Sequence, residues 1–568
     1  MPNDARETHF DTVVVGSGFG GSVVAARLAE EGRSVCLLER GKAYPPGSFP
    51  RGPAGLRDSF WDPSEGLHGM FDVWSFKGLE ALVSAGLGGG SLIYANVLLR
   101  KDERWFVQDG AAGGYEHWPV TRADLEPHYD RVEERLAPAR FPRNQPLYDV
   151  PKVEAFHRAA EAAGHPAELA PIAVTFANAG QPPRPGVAID EEHPNLHGRT
   201  RLTCLLCGEC DIGCNYGAKN TLDFNYLSDA KRVGADLRTR AEVRRFAPRD
   251  GGGYEVFYVE HREENEGRKT ATGKLPEVRL TCDRLVLSAG TLGSPYLLLK
   301  NRGSFPALSD CLGTRFCGNG DLLGLFLGAC DPKDRSSRLL RADRGPVITS
   351  YVRVGDELDG PPERGRGFYI QDGGHPEFVS WLVEAAQAPG VIRRFASFGW
   401  HYLRRLALRE PRSDLSAAVR GILGSAFLSS CSLPVLGMGR DVPDGRMSLD
   451  RGYLAVDWTT KTSAEYFGRM RRVMRELADA LGARYRDNPS WLLRRVITVH
   501  PLGGCPMGRD AREGVVDAWG EVFGDPPGLW VADGSVMPGP VGANPSLTIA
   551  ALADRTADAM IHGKGARR

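Results

Sequence analysis

The chain has 568 residues, too many for one ordinary core, so two interleaved domains are expected. Hydrophobic residues make up 42% and charged residues 25%, ordinary for a globular protein. Lys plus Arg and Asp plus Glu number 71 each, and this zero net charge excludes a global field that would draw the chain to nucleic acid.

The opening residues are polar. The first apolar run, Val13-Val14-Val15, is far too short for an export signal. No run of about 18 apolar residues is present, so no spanning helix is expected. A cytoplasmic location follows as the expectation.

Residues 10–40 read as strand, tight turn, helix and strand. The strand is 11–15. The turn carries glycines in the G-x-G-x-x-G places, at Gly16, Gly18 and Gly21. A helix over 22–31 ends at Gly32, and a strand over 34–39 ends on Glu39, close to the usual spacing of about 20 residues. Each part has a task. Gly16 permits the sharp turn, Gly18 lets the backbone approach a pyrophosphate, and Gly21 lets helix and strand pack closely. Amides at the helix start face the phosphates, and Glu39 accepts from ribose hydroxyls. The unit predicts a dinucleotide site without saying which dinucleotide.

Residues 44–77, rich in proline, glycine and aromatics, read as surface loop. A second glycine-rich loop spans 84–91 and leads into 92–96. A helix is predicted over 124–137 and loop over 181–199. Residues 279–288 form a strand, which 289–295 break before a short helix. Short strands and a long insert alternate over 326–458. The helix predicted over 462–481 sets Phe467, Met470, Val473, Met474, Leu477 and Leu481 on one core-facing stripe.

Near the C-terminus, Pro501 holds His500 extended within a turn-rich run, where its ring can project into a cleft. Residues 529–535 read as a strand ending in Asp533 and Gly534. Asn544 is a good helix cap and Pro545 a good first helical residue for the helix over 546–561.

Cys204, Cys207, Cys210 and Cys214 have the spacing of a bacterial iron–sulfur run. No second run supplies the usual second cluster. Three readings stand: an iron–sulfur cluster, a zinc site, and reduced or paired structural cysteines. Between residues 391 and 420 lie Arg393, Arg394, Arg404, Arg405, Arg409, Arg412 and Arg420, interleaved with aromatics and leucines. That pattern fits an interfacial helix on a lipid surface, hence peripheral membrane contact, and fits equally a solvated helix packed on the substrate domain.

Four segments together resemble the glucose-methanol-choline (GMC) oxidoreductase family, and within it the bacterial cholesterol oxidases. They are 16–21 with Glu39, 86–96, 287–295, and 500–508 with 533–548. The resemblance implies an α/β Rossmann-type FAD-binding domain plus an α+β substrate domain with an antiparallel sheet. Residues 1–310 form the FAD domain with the cysteine run inserted, 311–495 the substrate domain, and 496–568 the return to the FAD domain. The resemblance places Gly16, Gly18, Gly21 and Glu39 at the adenosine and pyrophosphate. It sets Gly89, Gly90, Ser91 and Asn96 along the flavin side, Val243 at the adenine, and Asp533 and Gly534 near the pyrophosphate and ribityl chain. The helix start at Pro545 faces the flavin ring, and His500 and Asn544 are the catalytic pair.

The implied activity is oxidation of an alcohol, on a sterol or similar bulky lipid, by hydride transfer to FAD, with oxygen or another acceptor reoxidising it. A sugar or simple-alcohol dehydrogenase and a non-enzymatic flavin carrier are the alternatives. Three departures matter. No glutamate for steroid isomerisation is found in 433–441, no histidine for covalent flavin attachment in 86–96, and no export signal. Non-covalent FAD is therefore expected.

Overall fold

The computed structural model describes residues 8–375 and 430–565, less 52–54, 56, 111–112, 332–333, 335 and 525. The arginine-rich segment 391–420 lies outside the described residues.

The apolar strand His9–Val15 is the centre of the first sheet. It pairs in parallel with Val35–Leu38 on one side and Glu277–Leu287 on the other, Val13 lying opposite both Cys36 and Leu285. Asp236–Arg238 extends the sheet beyond Val35–Leu38, and Leu529–Val531 joins beside Leu285–Leu287, both parallel. Tyr254–Glu260 and Ala241–Pro248 complete it as antiparallel strands. Strands buried on both faces need uninterrupted apolar runs, and Val13, Val14, Leu285, Val286 and Val531 are fully buried. The C-terminal strand thus enters a sheet begun at the N-terminus.

Helices Phe19–Glu30, Arg122–Leu136 and Ser546–His562 pack together around an ionic knot. Asp554 accepts from Arg27, Arg131 and His128, and Asp558 from both arginines. His128, Asp554 and Asp558 converge closely enough to hold a cation, but the two guanidiniums already supply the positive charge.

The second sheet has six antiparallel strands in the order Ala167–Leu169, Ser350–Val354, Phe368–Asp372, Leu433–Gly439, Leu322–Leu327 and Arg484–Asp487. Helix Ala464–Ala480 buries the expected stripe from Phe467 to Leu477 on this sheet, and Leu481 follows it into the core. This sheet reaches back across the boundary drawn at residue 311. Ala167–Leu169 forms its edge, and the apolar face of helix Pro151–Ala162 packs in the same core.

Three local expectations are corrected. The strand does end before residue 289, but the helix that follows is not short and starts earlier than expected: Gly290–Asn301 is one helix with Pro295 inside it. Pro295 is its sixth residue, in the second turn, where proline removes one intrahelical donor. Residues 44–77 are not all surface loop, since Tyr44, Phe49, Met70 and Phe71 form a small core with Leu92. Asn544 does not cap the last helix, as described below.

Candidate active site

One cavity of about 580 Å³ runs between the two sheets, from the glycine turn after the first strand to the C-terminal histidine. Gly16, with φ +100°, turns the chain where a Cβ would meet Ser288 O at 2.3 Å. Gly21 packs with its Cα towards Gly16 O, so it closes the helix–strand contact and does not line the cavity. A Cβ at Gly18 or Gly90 would meet nothing within 4 Å, because both backbones border open space. Helix Phe19–Glu30 begins at Gly18 without a side-chain cap, so its first amides stand free for an anion.

Glu39 lines the cavity at the end of the second strand. Its carboxylate accepts from the Ser17 amide and hydroxyl and from the Gly41 amide, which fixes it. Gly89, Gly534 and Pro545 also line the cavity. Val243 does so at a bulge in its strand, where the register shifts between Val243 and Arg245. Asp533 lines it too, yet both its oxygens are engaged, by Ser535 on one side and by Ser294 and the Gly290 amide on the other. It ties two helical starts together, and burial raises its pKa. Ser91 faces away, bonding Gly88 O and the Leu222 amide. Asn96 is fully buried with φ +71°, and both its amide atoms lack partners. Asn96 does not line the cavity, so the fit to a dinucleotide rests on the glycine cradle and the open helix start.

At the far end the sequence pair is joined by two residues that sequence reasoning missed. His500 Nδ1 lies 2.8 Å from Asp321 Oδ1, and Asp321 Oδ2 accepts from Thr498 Oγ1 and from the Val499 and His500 amides. Asp321 is buried, whereas the His500 side chain keeps 15% of its surface and lines the cavity. With Nδ1–H donated to Asp321, Nε2 is the ring nitrogen left for a substrate. Asn544 also lines the cavity, and its Oδ1 accepts from Gln371 Nε2 at 2.6 Å. Its side chain is therefore held to the second sheet and not to the helix, and Pro545 takes the cap position. The turn before it is clasped by Asn319, which bonds the Gly542 amide and Ala543 O, and by buried Lys101, which donates to Pro540 O and Val541 O. Burial pushes the Lys101 pKa well down.

Matches to known proteins follow this geometry. Residues 441–553 and 198–304 each match a GMC oxidoreductase family model, and 14–45 match an NAD(P)-binding Rossmann-like domain. A cholesterol oxidase of Mycobacterium tuberculosis is 30% identical over 96% of this chain and 90% of its own length. The chain belongs to the GMC oxidoreductase family. It is an FAD-dependent oxidoreductase of the cholesterol-oxidase-like kind. A cholesterol oxidase of Acinetobacter baumannii is 28% identical over 96% of this chain and 93% of its own. The structure of pyridoxine 4-oxidase from Mesorbium loti shares the fold, with TM-score 0.54 and 17% identity over 96% of this chain and 98% of that one.

The four clustered cysteines are free thiols. Zinc bound at about 2.3 Å by each sulfur would bring them within about 4 Å of one another. Among the described residues, no three of them come mutually within 4.8 Å. Burial raises the pKa of Cys204, Cys207 and Cys210, which favours thiols over the thiolates a metal needs. The iron–sulfur reading gains no support, and reduced structural thiols fit best. Among the described residues no helix is long and apolar enough to cross a membrane.

Proposed function

We propose that this GMC oxidoreductase oxidises a secondary alcohol on a bulky, largely apolar molecule of the sterol class. What supports the reading is that His500 and Asn544 line the same cavity as the nucleotide turn, which Val347, Ile348, Leu436, Leu323, Ile497 and Val499 also line. Bound FAD, held non-covalently by the glycine cradle, Glu39, Val243, the Gly534 amide and the helix start at Pro545, supplies the hydride acceptor.

The protein's own residues do the rest. His500 Nε2 takes the hydroxyl proton, while Asp321 holds the ring in the tautomer that leaves Nε2 free and stabilises the cation formed. Asn544, its carbonyl engaged by Gln371, turns an amide N–H to the substrate oxygen. The uncapped start of helix Ser546–His562 adds positive potential on the cavity. Packing of the apolar wall excludes water from the proton transfer. Oxygen is the acceptor this reading expects, in the cytoplasm.

Anaerobic reduction of the yellow protein by hydroxysteroids, glucose, choline and short alcohols tests the reading. Hydroxysteroids should bleach the flavin fastest, and a clear preference for sugars would overturn it.

A further inference from the structure

Asn319 and Asp321 belong to one short turn, residues 317–321. Asp321 holds the His500 ring. Asn319 accepts from the Gly542 amide at 2.8 Å and donates to Ala543 O at 3.0 Å, immediately before Asn544. The backbone of the turn also joins the histidine segment. Cys317 and Leu502 exchange both backbone hydrogen bonds, and Thr498 Oγ1 donates to Gly318 O at 3.1 Å. His500 and Asn544 therefore take their places from the same turn.

The turn does not hold this shape alone. Asn319, with φ +53°, and Gly320, with φ +67°, are both left-handed. A non-glycine residue stays there only where its surroundings hold it. Two buried side chains from outside the turn do so. Asp441, which follows strand Leu433–Gly439, accepts from the Gly318 amide at 3.1 Å. Tyr466, on helix Ala464–Ala480, donates its hydroxyl to Gly320 O at 3.1 Å. The fit is close, since a Cβ at Gly320 would lie 2.1 Å from Tyr466 Oη and 2.9 Å from Gly439 N. The Gly439 amide adds a third tie, to Asn319 O at 2.9 Å. Neither Asp441 nor Tyr466 lines the cavity.

We propose that Asp441 and Tyr466 are positioning residues for the oxidation, pinning the turn 317–321 so that it aims His500 and Asn544 together. The inference rests on the roles proposed for that pair. Both side chains stand outside the cavity, so each acts through the turn and touches no reacting atom. A shift of about 1 Å at a reacting group can cost about 10²-fold in rate, so small movements of the turn are enough.

Stopped-flow anaerobic reduction of the flavin gives Kd and the limiting rate for Asp441→Leu, Asp441→Asn and Tyr466→Phe. The reductant is whichever alcohol bleaches the wild type fastest, so a wrong substrate class leaves this test in force. Asp441→Leu should lower the limiting rate about tenfold or more, with Kd and FAD content near those of the wild type. Asp441→Asn, which keeps an acceptor for the Gly318 amide, should recover most of that rate. Tyr466→Phe loses one hydroxyl and should slow the step about threefold to tenfold. The losses in Asp441→Leu and Tyr466→Phe should shrink in an Asp321→Asn background and in an Asn544→Ala background, where the turn has one target fewer to aim. Full-size losses in both backgrounds overturn the proposal. So does a loss confined to Kd or to bound FAD, and so does an Asp441→Asn as slow as Asp441→Leu. Wild-type rates in Asp441→Leu and Tyr466→Phe overturn it too. Should Asp441→Leu not fold, Tyr466→Phe decides by the same outcomes. A wild type whose flavin no alcohol bleaches would instead overturn the function reading, and this inference with it.

Discussion

Asp321 Oδ1 receives Nδ1 of His500 at 2.8 Å, while its other oxygen collects three donors from residues 498–500. One buried carboxylate thus fixes both the ring and the backbone that carries it. Asp321→Asn leaves a group of the same size but no longer enforces the tautomer with Nε2 free. Flavin reduction should slow by about 10²-fold or more at unchanged FAD content. Stopped-flow absorbance measures it, and a near wild-type rate would make Asp321 a purely structural residue.

Gln371 gives a second test, because it touches Asn544 and not the cavity. Gln371→Met removes the partner of the Asn544 carbonyl and leaves that buried oxygen unpaired. The variant should lose about 1–3 kcal/mol of stability, and its limiting rate of flavin reduction should fall more than its Kd rises. Gln371→Glu restores an acceptor but not the donor and should not rescue the rate. Rescue would show that Asn544 is aimed by something else.

Asp441 lies buried behind the same region, with one oxygen bonded to the Gly318 amide and the other unpartnered. Burial first, and Asp321 among the lesser causes, raises its pKa from 3.8 to about 7. A folded value above the unfolded one means that the protonated group favours the fold. That contribution is complete below about pH 4 and is lost as the pH rises through 7. Asp441→Asn cannot ionise, so its Tm should fall less than the wild type's between pH 5 and 8. The differential is on the order of 3 kcal/mol. Parallel Tm profiles would show that Asp441 is not the group titrating.

The cysteine run gives a chemical prediction. All 11 cysteines should titrate as thiols in denaturant without added reductant. Iron, acid-labile sulfide and zinc should be far below stoichiometric in anaerobically purified protein. Stoichiometric iron with sulfide would restore the cluster reading.

The nucleotide half of the molecule was legible because its chemistry is local. The turn at Gly16, the helix after Gly18 and the acid at Glu39 lie within one strand–helix–strand unit, and tight turns require glycine wherever they occur. His500 and Asn544 were legible through motif resemblance. Their partners were not. Asp321 stands just before one strand of the second sheet and Gln371 on another, far from either in sequence, and no spacing rule links an aspartate at 321 to a histidine at 500. Lys101 was hidden for another reason, since a lone lysine reads as surface until the fold buries it. Asn544 was misread as a cap because local capping chemistry is satisfied by the same residue type that the second sheet recruits. The spacing of the cysteine run left a cluster, a zinc site and structural thiols open alike, because spacing does not say whether the fold brings three sulfurs together, and among the described residues it does not.

The most direct test of the account is the rate of anaerobic flavin reduction in His500→Asn. The variant keeps a hydrogen-bonding side chain of similar reach but removes the base that Asp321 holds ready. With a hydroxysteroid as reductant, and FAD content equal to that of the wild type, the rate should fall by about 10²-fold or more. A rate close to the wild type's, with FAD fully bound, would contradict the assignment of His500 as the group that takes the hydroxyl proton.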